Sequence, residues 1–458
     1  MYYCRCGCVL YVCSMSSDDR TFPVPSSRLS RVGRMGRFAS GVLGRAAQDS
    51  LRAFARGDRP GLQQLMMTPA NAAKLAEELS RMRGAAMKMG QLLSMEAGEV
   101  LPAELADVLS RLRSEAHYMP PEQLKTVLSD NWGPDFLKQF KKFDVRPIAA
   151  ASIGQVHRAV TKDGRELAIK VQYPGIRASI DSDIRNLGAL LKMSGMLPKG
   201  LDLSPLLEEA RLQLHEEADY ELEARSLTEF GAHLAEDADF VVPALAEDLT
   251  TRDILAMEYI DSRPIESLTE ADAKTRNSVA EKLIALTLRE LFDLTAMQTD
   301  PNFANFRYQP ETGRIVLLDF GAVRRFEEGR VAAFRDLMRA ALSGDRTFLH
   351  QAAITVGYLR DDTADHHREQ ILDMMEIAAA PLQGYGPFDF ARAGLATRFA
   401  EAGQRFAEDR EFTVIPPVDA LFLQRKVGGL YLLCARLGAQ IPVRPLLEKH
   451  APSSIYGG

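Results

Sequence analysis

A chain of 458 residues with 46% hydrophobic side chains is long enough to bury more than one core, which excludes a disordered or miniature protein. Its formal net charge of −6 and pI near 5.9 exclude a general nucleic-acid binder. Four of the five cysteines crowd into positions 4, 6, 8 and 13 with no partner cluster, which argues against a zinc site and against an oxidising compartment.

In chain order, residues 1 to about 60 form a basic leader. Ten Lys and Arg stand there against four Asp and Glu, a net +6, so the other 398 residues carry −12. Arg34, Arg37 and Arg45 alternate with Phe38, Val42 and Leu43, a pattern that suits an anionic membrane surface or a solvated basic arm. The apolar stretch from Tyr2 is too short to span a bilayer, and Met15 reads as the start of the chain proper. A cytoplasmic protein, peripheral at the inner face of the cell membrane, is the expectation. Residues 61 to 145 read as a helical extension. Within it a helix from Pro69 to Met95 carries the apolar stripe Leu75, Leu79, Met82, Ala86, Met89 and Leu93, with Lys88 and Gln91 on another face.

A small lobe is expected over residues 146 to 260. It opens on Ala149, Ala150, Ala151 and Ser152, then Ile-Gly-Gln155, where a phosphate-covering loop would prefer glycine because each added methyl limits the approach of backbone to phosphate. The strand Glu166 to Tyr173 follows. Its alternation sets Leu167, Ile169 and Val171 on one face and Ala168 and Lys170 on the other, so the ammonium points where phosphates would lie. Ser204-Pro205 starts a long helix, Leu206 through Phe230, bearing Glu217, Asp219 and Glu223. The strand ending at Ile260 reads as a hinge whose backbone from Glu258 to Ile260 would meet an adenine edge.

The large lobe, 261 to 458, holds the densest signal: Asp300, Asn305 and Asp319-Phe320-Gly321. In phosphoryl-transfer sites one aspartate addresses the acceptor hydroxyl, an asparagine five residues on holds magnesium, and an aspartate before Phe-Gly holds the metals at the phosphates. Ile315 to Leu318 reads as a buried strand that delivers Asp319 at its end. Gln298 and Thr299 stand where a His-Arg pair usually precedes the first aspartate. The chain closes on helices around Gln424-Arg-Lys-Val-Gly-Gly429.

From about residue 68 to 450 these features resemble the UbiB or AarF-domain (ABC1-type) atypical kinases, most closely the mitochondrial-type branch linked to ubiquinone biosynthesis. The marks are Lys88-Met-Gly90-Gln91, the alanine-rich segment, Glu217-Ala-Asp219, the Asp300–Asn305 loop and the Asp319 triplet. The resemblance implies an α+β, bilobal, protein-kinase-like fold with a helical extension over the active site. It implies ATP and Mg2+ as cofactors, with Asp300, Lys170 and Glu223 catalytic, Lys170 pairing with Glu223, and Asn305 and Asp319 on the metal. Ala149 to Ser152, Lys170, Glu258 and Ile260 would contact nucleotide; Lys88, Gly90, Gln91, Glu217 and Asp219 would form the motif over the site. On a regular helix Asp219 and Glu223 share a face while Glu217 projects elsewhere, so either the helix is distorted or Glu217 contacts another element. The implied role is an ATPase or kinase supporting ubiquinone biosynthesis at a membrane surface. A quinone precursor or other small molecule and the biosynthetic enzymes are the implied partners. Two alternatives stand beside it: a kinase of small molecules, lipids or proteins, and a nucleotide-sensing scaffold.

Overall fold

The computed structural model describes residues 118–151, 153–193, 204–395, 397–399, 401 and 416–451. The basic leader, the Lys88–Gln91 segment and Ser152 lie outside the described residues. Helix α1 (Pro121–Trp132) begins with proline in its first turn and ends at Gly133, whose φ of +86° is open to glycine alone at little cost. Its Trp132 indole N–H donates to the Leu249 carbonyl at 3.0 Å, fixing the helix to the short turn Glu247–Leu249.

That sheet contains β1 (Phe140–Phe143), β2 (Ala149–Ala150), β3 (Gly154–Thr161), β4 (Glu166–Gln172) and β6 (Ile254–Glu258). Every pairing is antiparallel, in the order β1-β3-β4-β6 with β2 on β3. Leu167, Ile169 and Val171 are buried in the core as read, but Lys170 and Gln172 on the other face are buried as well, so from Ile169 onward the strand is covered on both sides. Gly154 is needed because a Cβ there would sit 2.3 Å from the Val171 carbonyl oxygen across the ladder.

The expected helix from Leu206 to Phe230 is two helices. After α2 (Ile176–Met193), α3 (Ser204–Glu217) stops and α4 (Tyr220–His233) begins at Asp219, whose carboxylate accepts the Leu222 N–H at 3.1 Å. Asp219 has φ −104° and ψ 84°, outside the helical region, so capping chemistry outweighs the helical periodicity on either side. The elbow resolves the geometry of the acidic motif: Glu217 ends one helix and Asp219 caps the next.

A second sheet of order β5-β10-β9-β7 joins β5 (Phe240–Val241), β7 (Arg263–Pro264), β9 (Phe306–Gln309) and β10 (Arg314–Leu317), with β5 parallel to β10. α5 (Ala273–Phe292), capped by Asp272, packs behind it, and β8 (Ala296–Gln298) pairs with β11 (Val323–Arg325). α6 (Glu328–Ser343), α7 (Arg346–Val356) and α8 (Asp365–Ala379) follow. β12 (Phe388–Asp389), α9 (Val418–Arg436), β13 (Gln440–Ile441) and α10 (Arg444–His450) come after them, β12 pairing with β13. One core runs from α1 and the first sheet through α4 and α5 to Leu433 and Leu437 at the end of α9. A second joins α5, α6, α9 and α10.

Candidate active site

Three elements deliver the charged groups to one place. β4 presents Lys170, α4 presents Glu223, and the turn after β10 presents Asp319. The Lys170 ammonium donates to both Glu223 oxygens, at 2.8 and 2.9 Å, and lies 3.6 Å from Asp319 Oδ2. It also sits 5.2 Å from the centre of the Tyr220 ring. Burial opposes charge on Lys170, but the Asp319 and Glu223 carboxylates and Tyr220 overcome it and hold the ammonium well above its ordinary range. Burial likewise pushes the Glu223 carboxyl up, with the Lys170 charge opposing the shift. The lysine is therefore a fixed positive charge, and its charge and hydrogen bonds are what oppose protonation of Glu223.

Asp300 and Asn305 lie between β8 and β9. Asn305 Nδ2 donates to Asp300 Oδ2 at 3.1 Å, and its carbonyl accepts the Leu318 N–H at 3.0 Å. The Asp300 loop and the Asp319 turn are thus adjacent, as the five-residue spacing and the intervening hairpin require. Asp319 Oδ1 accepts the Gly321 N–H at 3.0 Å, and Phe320 packs on Phe230 of α4 with ring centroids 5.0 Å apart.

Ala149 and Ala150 form β2, exposed, and Ala151 N–H donates to the Gly154 carbonyl at 2.9 Å, closing a tight hairpin at the edge of the first sheet. Glu258 and Ile260 stand at the end of β6. The N–H of Glu258 donates to Ala244 and that of Tyr259 to Glu166, both at 2.8 Å. Asp219 faces Arg177 at 3.8 Å.

Sequence reasoning missed the part played by α9. Arg425 Nη2 donates to Asp300 Oδ1 at 3.2 Å. Lys426 donates to Gln298 Oε1 at 3.1 Å and pairs with Glu290 of α5 at 3.3 Å. Gln298 in turn donates from its amide to the Asp300 carbonyl at 2.9 Å. A Cβ at Gly429 would lie 2.1 Å from Pro301 Cβ, so glycine there lets the helix touch the loop. Arg425 and Lys426 are buried, and their charges are committed inside the molecule. The available signal was an Arg-Lys pair inside an otherwise apolar helix, which has to find buried partners.

The donor set fits magnesium brought by a nucleotide. The Asp319 carboxylate and the amide oxygen of Asn305 are hard oxygen donors of the kind magnesium takes, and the Asn305 NH2 is turned to Asp300. Among the described residues no group of three or more His, Cys, Asp or Glu side chains is set to hold a metal alone. Magnesium that arrives on phosphates needs only one or two carboxylates from the protein.

Residues 111–353 match the ABC1 atypical kinase-like domain. The chain is similar to "Atypical kinase COQ8, mitochondrial" of Saccharomyces cerevisiae, 38% identical over 93% of this chain and 85% of that protein. It is also similar to "Atypical kinase COQ8B, mitochondrial" of Rattus norvegicus, 36% identical over 95% and 82% respectively. Among solved structures, a Mycobacterium tuberculosis protein in complex with erythromycin matches with a TM-score of 0.59 and 25% identity, over 83% of this chain and 96% of that one. Sequence, fold and the order of the charged residues lead to one conclusion: this chain belongs to the ABC1 atypical kinase family and has its kinase-like fold.

Proposed function

We propose that the chain binds Mg-ATP between its two larger sheets and cleaves or transfers the terminal phosphoryl group, in support of ubiquinone biosynthesis at a membrane surface. The observation that carries the reading is the meeting of Lys170, Glu223 and Asp319 within 3.6 Å, next to an Asp300 bonded to Asn305. Lys170, held in place by Glu223, would neutralise phosphate charge. Asp319 and Asn305 would hold magnesium, which supplies charge neutralisation at the phosphates. Asp300, kept in orientation by Arg425 and Asn305, would receive the proton of the attacking hydroxyl or water. The adenine edge would take the Glu258 carbonyl and the Ile260 N–H, because the N–H groups of Glu258 and Tyr259 already serve Ala244 and Glu166. Ala149 to Ser152 would cover the phosphates, and Lys88, Gly90, Gln91, Glu217 and Asp219 would line the same cleft. The ubiquinone assignment rests on the resemblance to that branch of the family and on the COQ8 relatives. A phenolic quinone precursor is the proposed small-molecule partner, with the biosynthetic enzymes and an anionic membrane as its setting.

The test is ATP turnover with and without anionic liposomes and a prenyl-free phenol, with mass analysis of the products. Phosphate release that rises with liposomes or phenol supports the reading. Magnesium-independent binding with no turnover under any of these conditions contradicts it.

A further inference from the structure

One face of α3 carries Glu209, Gln213 and Glu216, at steps of four and three. These side chains form a hydrogen-bonded row that ends at both halves of the active site. Gln213 Nε2 donates to Glu209 Oε1 at 2.9 Å. Arg324 of β11, five residues past Asp319, donates to Glu209 at 3.0 Å and to Glu216 at 3.1 Å. Its guanidinium also lies 4.5 Å from the centre of the Phe422 ring on α9. At the other end Arg425 reaches Gln213 Oε1 at 3.5 Å with the guanidinium that holds Asp300 Oδ1 at 3.2 Å. The strand after Asp319 and the Asp300 loop are therefore tied through α3 as well as through their own hairpin.

The residue types suit that task. Only the planar fork of arginine grips two carboxylates at fixed angles, and Glu209 and Glu216 lie seven residues apart on one helical face. Gln213 is 4% exposed and uses both ends of its amide, as donor to Glu209 and acceptor from Arg425. Arg325, the next residue, donates to Glu229 of α4 at 2.9 Å, so β11 grips the helix on each side of the Glu217–Asp219 elbow. In-line phosphoryl transfer depends on the relative placement of the acceptor side and the metal side, and a misplacement near 1 Å costs about a hundredfold in rate.

We propose that the row Arg324–Glu209–Gln213–Arg425 is a positioning device, with Arg324 and Gln213 as positioning residues that hold the Asp319 segment and the Asp300 loop in register through α3. The proposal rests on the reading of Asp300 and Asp319 given above. Neither positioning residue touches the reacting atoms, so their removal changes turnover more than nucleotide affinity.

The experiment compares wild type, Arg324→Lys, Gln213→Leu, Glu209→Gln and the Arg324→Lys/Gln213→Leu double variant. It measures kcat and KM for ATP at saturating magnesium, and the melting temperature of the apo protein. Each single variant is expected to lower kcat about tenfold with KM nearly unchanged. The double variant should be no slower than the slower single, since both cut one row. Glu209→Gln keeps the side chain's shape and removes the charge that Arg324 grips, so it should reproduce the loss even where Arg324→Lys folds poorly. Unchanged kcat in the folded single variants, or losses that multiply in the double, overturns the proposal alone. Absence of turnover in the wild-type protein overturns the functional reading and this proposal together.

Discussion

Lys170 and Glu223 form a pair in which each charge depends on the other. Removing the lysine leaves a buried carboxylate without its cation, so Lys170→Met should cost about 3–5 kcal/mol at neutral pH. The sign of its pH dependence follows from burial. The Glu223 carboxyl lies above its ordinary value in the fold, and without Lys170 it lies higher still, so the folded state binds the proton more tightly than the unfolded chain. Stability from that proton is present at low pH and is lost as pH rises through the folded value. Denaturation of Lys170→Met should therefore show a smaller deficit at pH 5 than at pH 8; an equal deficit at both would contradict the assignment. His157 behaves in the opposite sense. Gln155 Oε1 accepts the Met119 N–H at 2.8 Å, so its NH2 faces His157 Nε2 at 2.8 Å, and the imidazole must accept there and donate from Nδ1 to the Asp144 carbonyl. Burial lowers this histidine below 6.5, so stability is present above that value and lost as pH falls beneath it. His157→Phe should be less stable at pH 7 yet fall less steeply between pH 6.5 and 5, which melting curves on the two proteins would show.

At the scale of elements, two junctions carry the site. The first is the elbow between α3 and α4. Asp219→Ala removes the cap of α4 and the facing charge of Arg177, and should cost about 1 kcal/mol in chemical denaturation while leaving the helical content nearly unchanged. A loss of zero would mean that the break does not depend on its cap. The second is the docking of α9 on the Asp300 loop. Gly429→Ala would drive a methyl into Pro301 and should cost about 1–3 kcal/mol, with turnover falling further than stability because Arg425 is displaced from Asp300. The sequence showed Lys170, Asp300, Asn305 and Asp319 because their spacing is local to strands and turns. The inward row Leu167, Ile169 and Val171 of β4 and the buried run of β10 were legible for the same reason, whereas the burial of Lys170 and Gln172 on the opposite face was not, because it is made by other elements. The elbow was half legible: the mismatch of Glu217 with Asp219 and Glu223 pointed to distortion, but the uninterrupted run of good helix formers concealed the break. The contact of Arg425 with Asp300 joins residues 125 apart, and no local period reports a pairing of that range. The parallel addition of the two-residue β5 to β10 was hidden likewise, since a strand so short has no alternation to read.

Over the whole molecule, charge is divided between a basic leader and an acidic remainder. The proposed membrane contact belongs to residues 1 to 60, outside the described residues, where each Lys or Arg near an anionic surface contributes about 1 kcal/mol that salt screens. Among the described residues no helix is long and apolar enough to cross a membrane. The Arg425–Lys426 step is buried against Asp300 and Glu290 and offers no alternative basic surface. Deleting residues 1 to 60 should abolish sedimentation with cardiolipin-containing liposomes and leave nucleotide binding intact; undiminished sedimentation would remove the leader from the account. The central claim is the division of labour between the two aspartates, and calorimetric titration of ATP into wild type, Asp319→Asn and Asp300→Asn, each with and without magnesium and paired with a turnover assay, tests it most directly. The account predicts that Asp319→Asn loses the magnesium-dependent part of binding, whereas Asp300→Asn binds Mg-ATP as wild type does and turns over at least a hundredfold more slowly, about the low end of general-base catalysis. Equal magnesium-dependent binding by wild type and Asp319→Asn, or undiminished turnover by Asp300→Asn, would contradict it.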